Sequence, residues 1–595
     1  MRSVRGLVQW TYGGLLLMGC GTEVPPPQPH APPAETLRPE ELPDTATPPP
    51  ITGATLLVTR DGTHAIVADP DTDRVVLVDL TNARVAAALA LQPGDEPGRL
   101  AEDGDGRVHV ALRGGGAVQT VLVAARSLGP RRPACALPRG IAWERATDQV
   151  HVACLDGELI TFPAAGGDAV RRVTLDRDLR DVLVVGNERF VTRFRDAETL
   201  VVDAAGGVAR RTPTAVATGQ TAAVAWRAVA DATGGVWVLH QRTGNSPTQA
   251  VSVTTVNAYS QGRTVTGQQP CPGTDAISRP GVTLLRPPAA PLPLPDLGDA
   301  ALAVDLAVSP LGDALAFAVP GNYGSSRPQL MVMSRRMSTR CATLRDRADP
   351  PAGQVVAVAW HPGGAVVAQT RSPATLFVQG SRVTIPLGGP VVRSAGHTMF
   401  HTNPGGAIVC ATCHPEGDDD GRTWTFAPTG PRRTMPLRGG ITEMAPYHWS
   451  GDLPDLPSLV SAVAVHNMGM PAPNGIVMGS LTRWLDALPV RPRRRGDTTA
   501  AARGEGLFND PVLACATCHS GPKLTNNQRV DVGTGEAFQV PTLLGLARRA
   551  PYMHNGCAAT LTARFGPCGG GDAHGHTSQL SAAQVADLVA YLDTL

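Results

Sequence analysis

The sequence has almost no net charge, no long apolar run and, before residue 391, almost no helical periodicity. Its formal charge is +1 over 595 residues, so electrostatics give no reason to expect a nucleic acid as a partner. The apolar run in MRSVRGLVQWTYGGLLLMGCGTE is too short for a membrane-spanning helix and indicates an export signal. A chain of this length should divide into two or more cores.

Residues 1–20 have the pattern of a cleaved signal. Arg2 and Arg5 precede the apolar run, which stops at Cys20. The segment resembles a bacterial lipoprotein signal, with LMGC at 17–20 as the lipobox. The resemblance implies acylation of Cys20 and a lipid anchor in the outer membrane, facing the periplasm or the cell surface. The alternative is a chance Gly-Cys pair near an ordinary signal.

The cysteine count also favours export. Of eleven cysteines, six remain once Cys20 and the four in two CATCH motifs are set aside. An even number suits disulfide bonding in an oxidising compartment. Order along the chain suggests the pairs 135–154, 271–341 and 557–568, although six cysteines allow many pairings. The six are Cys135, Cys154, Cys271, Cys341, Cys557 and Cys568.

Two regions precede the CATCH motifs. Residues 21–51 are rich in Pro, Ala and Thr, which predicts a linker without a core. Residues 52–390 repeat short strands separated by turns such as RDG and SPLGD. At a repeat of about forty residues, this pattern predicts a β-propeller of about seven blades. It resembles the YVTN-type propellers, with a Pro- and Gly-rich insertion around 262–298; a pair of β-sandwiches is the competing interpretation.

Residues 391–595 contain more helix-compatible segments. Examples are LPSLVSAVAVHNM, GSLTRWLDAL and SAAQVADLVAYLDTL, the last with apolar residues at helical spacing. The segment PVRPRRRGD divides the region into 391–490 and 491–595. The sequence therefore predicts two mainly helical domains, each beginning with one CATCH motif.

The two motifs are VCATCHPEG and LACATCHSG. C-x-x-C-H is the attachment signature of c-type haem, in which both thiols form thioethers and the histidine ligates iron. Redox or zinc-binding Cys pairs are the alternatives. The motifs predict two covalently bound haem c groups. The thioether residues would be Cys410, Cys413, Cys515 and Cys518, and the proximal ligands His414 and His519.

A second feature recurs after each motif. APYHWSG follows the first and APYMHNG the second. Together with the CATCH pair, this resembles the di-haem cytochrome c peroxidase and MauG family, which has two cytochrome c-like domains. The resemblance implies that Trp449 couples the haems, that His554 lies beside the second haem, and that Ca²⁺ is a candidate between the domains. An ordinary buried Trp is the alternative for Trp449.

The chain departs from that family where peroxide is handled. The family's Gln and Glu near the first haem would fall at Leu459 and Gly469, and residues 416–429 contain no histidine. The side chains for acid–base handling of peroxide at the first haem are therefore missing.

The resemblance also implies sixth ligands. Met468 matches the methionine of the family's electron-transfer haem, and a His/Met iron has a raised potential and no vacant site. At the second haem the family's methionine position falls at Cys568, which leaves His574, His576 or an open iron; an unligated histidine pair in a loop is as good an interpretation. The alternatives to Met468 are Met470, His466, Met435 and a role as core methionine.

These patterns predict an exported di-haem c-type cytochrome that carries out electron transfer with small redox proteins. One alternative is a peroxidase-like or MauG-like oxidoreductase acting on hydrogen peroxide or on a substrate held by the propeller. Another is a binding module whose propeller takes a protein or a small molecule. Membrane contact is expected only through the lipid anchor.

Overall fold

The structure, a computed structural model, describes residues 44–244, 248–249, 277–294, 297–298, 300–334, 344–346, 349–404, 408–427, 429–492 and 496–595. Three cysteines of the sequence predictions, Cys20, Cys271 and Cys341, lie outside these ranges. The predicted signal at 1–20 also lies outside them.

The described residues between 56 and 386 form seven antiparallel sheets of four strands each. The first sheet contains β1 Leu56–Val58, β2 His64–Asp69, β3 Arg74–Asp79 and β4 Arg84–Ala90, and the second contains β5 Pro97–Glu102, β6 Arg107–Leu112, β7 Ala117–Leu122 and β8 Ser127–Pro133. The third sheet contains β9 Pro138–Glu144, β10 Gln149–Cys154, β11 Glu158–Pro163 and β12 Arg171–Thr174, and the fourth contains β13 Leu179–Val185, β14 Glu188–Arg193, β15 Thr199–Val202 and β16 Val208–Thr212. The fifth sheet contains β17 Gln220–Ala230, β18 Val236–Gly244, β20 Ser278–Leu285 and β21 Leu292–Pro293, and the sixth contains β22 Asp305–Val308, β23 Ala314–Ala318, β24 Leu330–Ser334 and β25 Leu344–Asp346. The seventh contains β26 Gln354–Trp360, β27 Val366–Arg371, β28 Thr375–Val378 and β29 Val383–Pro386. Strand β19, Thr248–Gln249, belongs to none of these seven sheets and pairs with a strand of the C-terminal region.

The sheets are the blades of a closed propeller. Their first strands contact one another in the order β1, β5, β9, β13, β17, β22 and β26, and β26 returns to β1. Each blade is thereby packed between two others, which is why a strand such as β3 is buried along its whole length. The prediction of about seven blades is confirmed, and the β-sandwich interpretation is wrong.

The turns between first and second strands are built by local side chains. Asp61 accepts hydrogen bonds from Thr59 Oγ1 at 2.6 Å and from the Thr63 amide at 3.0 Å. Gly62, at φ +75°, completes the reversal in a conformation that side chains disfavour. Ser309 and Gly312 make the equivalent turn in blade six. These short-range contacts explain why the repeat is visible in the sequence.

The insertion predicted at 262–298 is partly wrong. Residues 278–285 form β20, the third strand of blade five, which pairs with β18 along its full length. Pro280 and Gly281 lie inside this strand. Their presence hid a strand whose position depends on pairing with a distant segment.

The end of the predicted linker is packed against the protein. Residues 44–51 run beside helices of the C-terminal region. Trp484 Nε1 donates to the carbonyl of Pro48 at 2.8 Å, and the Ile51 amide donates to His401 Nε2 at 3.2 Å. The linker prediction for 21–51 therefore needs correction over its last eight residues, because these tertiary hydrogen bonds are invisible in its composition.

The C-terminal region consists of two halves built from short elements. The first contains α1 Ala395–His401, α2 Cys410–Cys413, β30 Thr423–Ala427, β31 Gly430–Arg433, α3 Leu456–Leu459, a π-helix Val460–Asn467 and α4 Gly475–Asp486. The second contains α5 Thr498–Phe508, α6 Cys515–Cys518, β32 Arg529–Asp531, β33 Ala537–Gln539, α7 Leu561–Arg564 and α8 Ala582–Leu592. Within the described part of the chain, no helix is both long and apolar enough to cross a bilayer.

The two halves repeat one another at constant spacing. The same number of residues separates Cys410 from Cys515 and Tyr447 from Tyr552. Each tyrosine forms an isolated antiparallel bridge, Tyr447 with Leu453 and Tyr552 with Ala558. The similarity of the two APY segments is therefore a similarity of backbone conformation as well as of sequence.

A glycine brings the first and last helices of each half into close contact. A Cβ atom on Gly396 of α1 would lie 2.4 Å from the backbone of Leu481 in α4. A Cβ atom on Gly504 of α5 would lie 2.0 Å from the carbonyl oxygen of Asp587 in α8. Such distances are below van der Waals contact, so only glycine permits either crossing.

The C-terminal region covers one face of the propeller. Asp156 lies in the β10–β11 turn and pairs with Arg548 at 2.8 Å. Arg195, in the β14–β15 turn, pairs with Asp419 at 3.1 Å. Both turns join the second and third strands of their blades and therefore lie at the same end of the ring. This face is not free to bind a partner, and any ligand of the propeller must use another surface.

Two disulfides are present among the described residues. Cys135, which follows β8 of blade two, is bonded to Cys154 in β10 of blade three. Cys557 is bonded to Cys568 in the second C-terminal half. The first bond ties neighbouring blades together, and the second closes a short loop after the APY segment.

Acid should destabilise the fold before carboxylates titrate. Burial lowers the pKa of His401 to about 3, whereas an unfolded histidine titrates near 6.5. Stability from the neutral imidazole is complete above pH 6.5 and is lost as the pH falls towards 3. The expected contribution of His401 is about 3 kcal/mol less unfolding free energy at pH 4 than at pH 7, measured by urea denaturation. In His401→Gln this pH-dependent loss should shrink; an unchanged pH dependence would contradict the assignment.

Candidate functional site

Both CATCH motifs line one cavity in the C-terminal region. Its volume is about 1010 Å³, and its walls come from both halves. Single ligand sites usually occupy about 300–1,000 Å³. The cavity is therefore at the upper end of this range, and its largely apolar wall suits large planar groups.

The first motif forms one helical turn. α2 spans Cys410 to Cys413, and the His414 amide closes the turn on the carbonyl of Cys410 at 2.9 Å. Both thiols line the cavity and neither is in a disulfide. His414 Nδ1 donates to the carbonyl of Asp418 at 3.2 Å. Because a carbonyl only accepts, Nδ1 carries the proton and Nε2 keeps its lone pair.

The second motif repeats this geometry. α6 contains free Cys515 and Cys518, and the His519 amide donates to the carbonyl of Cys515 at 3.1 Å. His519 Nδ1 donates to the carbonyl of Leu524 at 3.2 Å. Burial lowers the pKa of His519 to about 4. Each motif thus offers two thiols and one neutral imidazole whose Nε2 is available to a metal.

His574 faces His519 in the same cavity. The ring centroids are 6.4 Å apart with 37° between the ring planes. Two metal–imidazole bonds of about 2.0–2.1 Å on opposite sides of one ion also hold their rings about 6 Å apart. His574 Nδ1 donates to the carbonyl of Gly569 at 3.1 Å, so its Nε2 is likewise unprotonated. His576, the alternative, is exposed at the cavity wall.

Met468 lies in the cavity wall of the first half. It follows the π-helix directly, is 5% exposed, and its amide donates to the carbonyl of Val463 at 2.9 Å. A π-helix is rare and is frequent at functional sites. Among the alternatives, Met470 is buried outside the cavity lining and His466 is exposed. Met435 lines the cavity, with its backbone next to the His414 ring.

Trp449 lies in the same cavity, against residues of the second half. Its ring centroid is 6.3 Å from Phe538 and 6.2 Å from His554, both edge to face. Phe538 and His554 stack at 4.0 Å. Trp449 Nε1 donates to the carbonyl of Arg433 at 2.7 Å, which fixes the indole. An aromatic cluster therefore spans the boundary between the two halves.

Sequence reasoning missed three residues at this site. Phe538 belongs to no motif, and only its fold position brings it to Trp449. Arg564 donates to the carbonyl of His574 and lines the cavity. Glu416 follows the first motif in the acidic run EGDDD and is buried. The signal for Glu416 was available, since acidic residues beside a buried motif need cationic partners.

The predicted calcium has no evident site in the described part of the chain. No group of three or more His, Cys, Asp or Glu side chains there is arranged to hold a metal ion. Calcium stays a prediction.

Comparison with known proteins gives distant similarities. No protein-family model matches the chain. The gamma subunit of hydrazine synthase from Kuenenia stuttgartiensis is 26% identical over 257 residues, covering 32% of this chain and 72% of that subunit.

Two solved structures are also similar. The hydrazine synthase of Kuenenia stuttgartiensis has a TM-score of 0.43 at 18% identity, covering 56% of this chain and 95% of that chain. Virginiamycin B lyase from Staphylococcus aureus has a TM-score of 0.38 at 10% identity, covering 55% and 94%.

Proposed function

We propose that this protein is an exported di-haem c-type cytochrome that transfers electrons between small redox partners. The observation that carries the proposal is the repeated donor set on one cavity. In each half, two free thiols stand on a helical turn, and the next histidine is held by its Nδ1 with Nε2 unprotonated. This is the donor set that covalent haem attachment requires.

The second supporting feature is the set of opposing ligands. His574 faces His519 at the separation of two imidazoles on one metal. Met468 is the methionine that we assign to the first site, because it is buried in the cavity wall directly after the π-helix. When bound, haem c with two protein ligands supplies one-electron chemistry without a vacant substrate position.

The cluster of Trp449, Phe538 and His554 would couple the two sites. It is aromatic, fixed by hydrogen bonds and stacking, and lies where the halves meet. We assign Trp449 the central role in this coupling, because the resemblance to the di-haem family implies that role for the tryptophan after the first APY segment.

We further propose that each half is a cytochrome c-like domain. The support is the shared plan of a first helix, the CATCH turn and a last helix that returns to the first at a glycine. The similarity to a hydrazine synthase subunit supports a redox role. The two disulfides suit an exported protein, and a lipid on Cys20 would tether it to the outer membrane.

The test is the spin state and ligation of the matured protein. Both haems should be low-spin by EPR, with a near-infrared methionine–iron band from the first. Met468→Ala should abolish that band, whereas Met470→Ala, an equally buried methionine outside the cavity lining, should keep it. His574→Ala should make the second haem high-spin, while His576→Ala should not.

Two results would contradict the proposal. A wild-type protein without covalent haem would remove it entirely. A high-spin haem in the oxidised wild-type protein would favour the peroxidase-like alternative, and steady turnover of hydrogen peroxide with a reduced donor would then establish that activity.

A further inference from the structure

The loop after the first CATCH motif is inserted into the propeller face. Glu416, two residues beyond His414, is 1% exposed. Its backbone is left-handed, at φ 57° and ψ 23°, a conformation that costs energy for a residue with a side chain. At the equivalent position of the second half stands Gly521, also left-handed at φ +69°. The first half therefore keeps a side chain where its repeat has glycine.

The Glu416 carboxylate is surrounded by guanidinium groups. Arg180 contacts Oε1, while Arg139 and Arg491 lie 3.0 and 3.2 Å from Oε2. Arg113 follows at 3.8 Å. All four arginines are buried or nearly so. One carboxylate thus contacts four buried guanidinium groups and offsets part of their mutual repulsion.

Three of these arginines belong to the propeller. Arg113 follows β6 of blade two, Arg139 is in β9 of blade three, and Arg180 is in β13 of blade four. They converge at the covered face. The ends of three different blades therefore form one cationic socket. Among the described contacts, Glu416 is the CATCH-loop carboxylate that enters it.

The rest of the loop is held in the same way. Asp418 pairs with Arg491 at 2.8 Å, and Asp419 pairs with Arg195 of blade four at 3.1 Å. The carbonyl of Asp418 is the group that accepts the hydrogen bond from His414 Nδ1. The ion pairs of Glu416 and Asp419 to the propeller, on either side of Asp418, thereby fix the carbonyl that orients His414.

The CATCH turn itself also touches the propeller. Gln241, in β18 of blade five, donates to the carbonyl of Thr412 at 3.0 Å. The second motif has a different support. The carbonyl that holds His519 belongs to Leu524, and the neighbouring Lys523 donates to the carbonyl of Gly439 in the first half.

We propose that Glu416 is a positioning residue, through which the propeller fixes the orientation of His414 and becomes a structural part of the first haem site. The effect on the first haem that we infer here rests on the proposed function. It assigns the covered face of the propeller a role in building a redox site. The second haem site is outside this control.

Glu416→Gln tests the proposal by two measurements on the full-length, matured protein. The first is amide hydrogen exchange of peptides covering 410–420 and 515–525. The second is the EPR spectrum and midpoint potential of each haem. In the variant, exchange in 410–420 should accelerate roughly tenfold or more, because the loss of the Glu416 charge leaves buried arginines without their partner. The first haem's EPR signal and potential should shift, and peptide 515–525 and the second haem should stay unchanged.

Glu158→Gln is the matched control. Glu158 makes an exposed ion pair with Arg172 on blade three, so its replacement should alter neither measurement. If Glu416→Gln does not fold, Glu416→Asp keeps the charge on a shorter side chain and should give the same changes at smaller size.

A folded Glu416 variant with wild-type exchange in 410–420 and an unchanged first haem would overturn the proposal. So would equal changes at both haems, since these would indicate general destabilisation. Failure of the proposed function appears separately, as absent or unligated haem in the wild-type protein, and the exchange measurement still reports on the loop.

Discussion

Replacing Cys515 and Cys518 together by serine should leave the protein with one covalently attached haem instead of two. A serine hydroxyl forms no thioether, so the second site loses its attachment. The first site should load normally, because α2 and His414 are held by contacts to the propeller and to their own half. The mass of the denatured protein and the absorbance of its reduced pyridine complex give the haem content, which should fall by half.

The reciprocal variant provides the control. Replacing Cys410 and Cys413 by serine should also halve the haem content, and the two variants should retain different spectra. The methionine–iron band should survive only where the first motif is intact. Two covalent haems in either variant would contradict the assignment of the thiols.

Gly504→Ala should destabilise the second half strongly. The new methyl group would lie 2.0 Å from the Asp587 carbonyl oxygen and 2.8 Å from Tyr591 Cβ. Since one of these contacts is with backbone, α5 must move away from α8 to make room. We expect a loss of about 3 kcal/mol of unfolding free energy, at the upper end of ordinary overpacking. Urea denaturation followed by near-ultraviolet circular dichroism measures it.

Gly506→Ala is the matched control in the same helix. Gly506 is exposed, and a Cβ there meets no atom within 4 Å. This substitution should stabilise the helix by up to about 1 kcal/mol. Equal effects of the two substitutions would mean that the α5–α8 crossing does not hold the half together.

The propeller could be predicted because its signals are local. Turns such as 59–64 depend on side chains a few residues apart, and they recur in blade after blade. Where pairing is long-range, prediction failed. The Pro- and Gly-rich stretch hides β20, because the strand is defined by its pairing with β18. The composition of residues 44–51 predicts a linker, because their hydrogen-bond partners lie far along the chain in α1 and α4.

The site shows the same division. Each CATCH motif contains its two thiols and its histidine within five residues, so the donor set could be predicted from the sequence. The preference for His574 over His576 could not be predicted, because it depends on which of the two rings faces His519 in the fold. Glu416 was overlooked, since a run of acidic residues is usually solvated and only the fold shows the arginines around it.

The constant spacing between the two C-terminal halves is the pattern of an internal repeat. At one corresponding position where the two halves differ, the first has Glu416 and the second has Gly521. Glu416 and the arginines around it must change together, because a change on one side alone would leave a buried charge without its partner. The second half is also tied to the propeller, through the pair of Arg548 with Asp156, so a replacement of either half must preserve its own ion pairs to the blades.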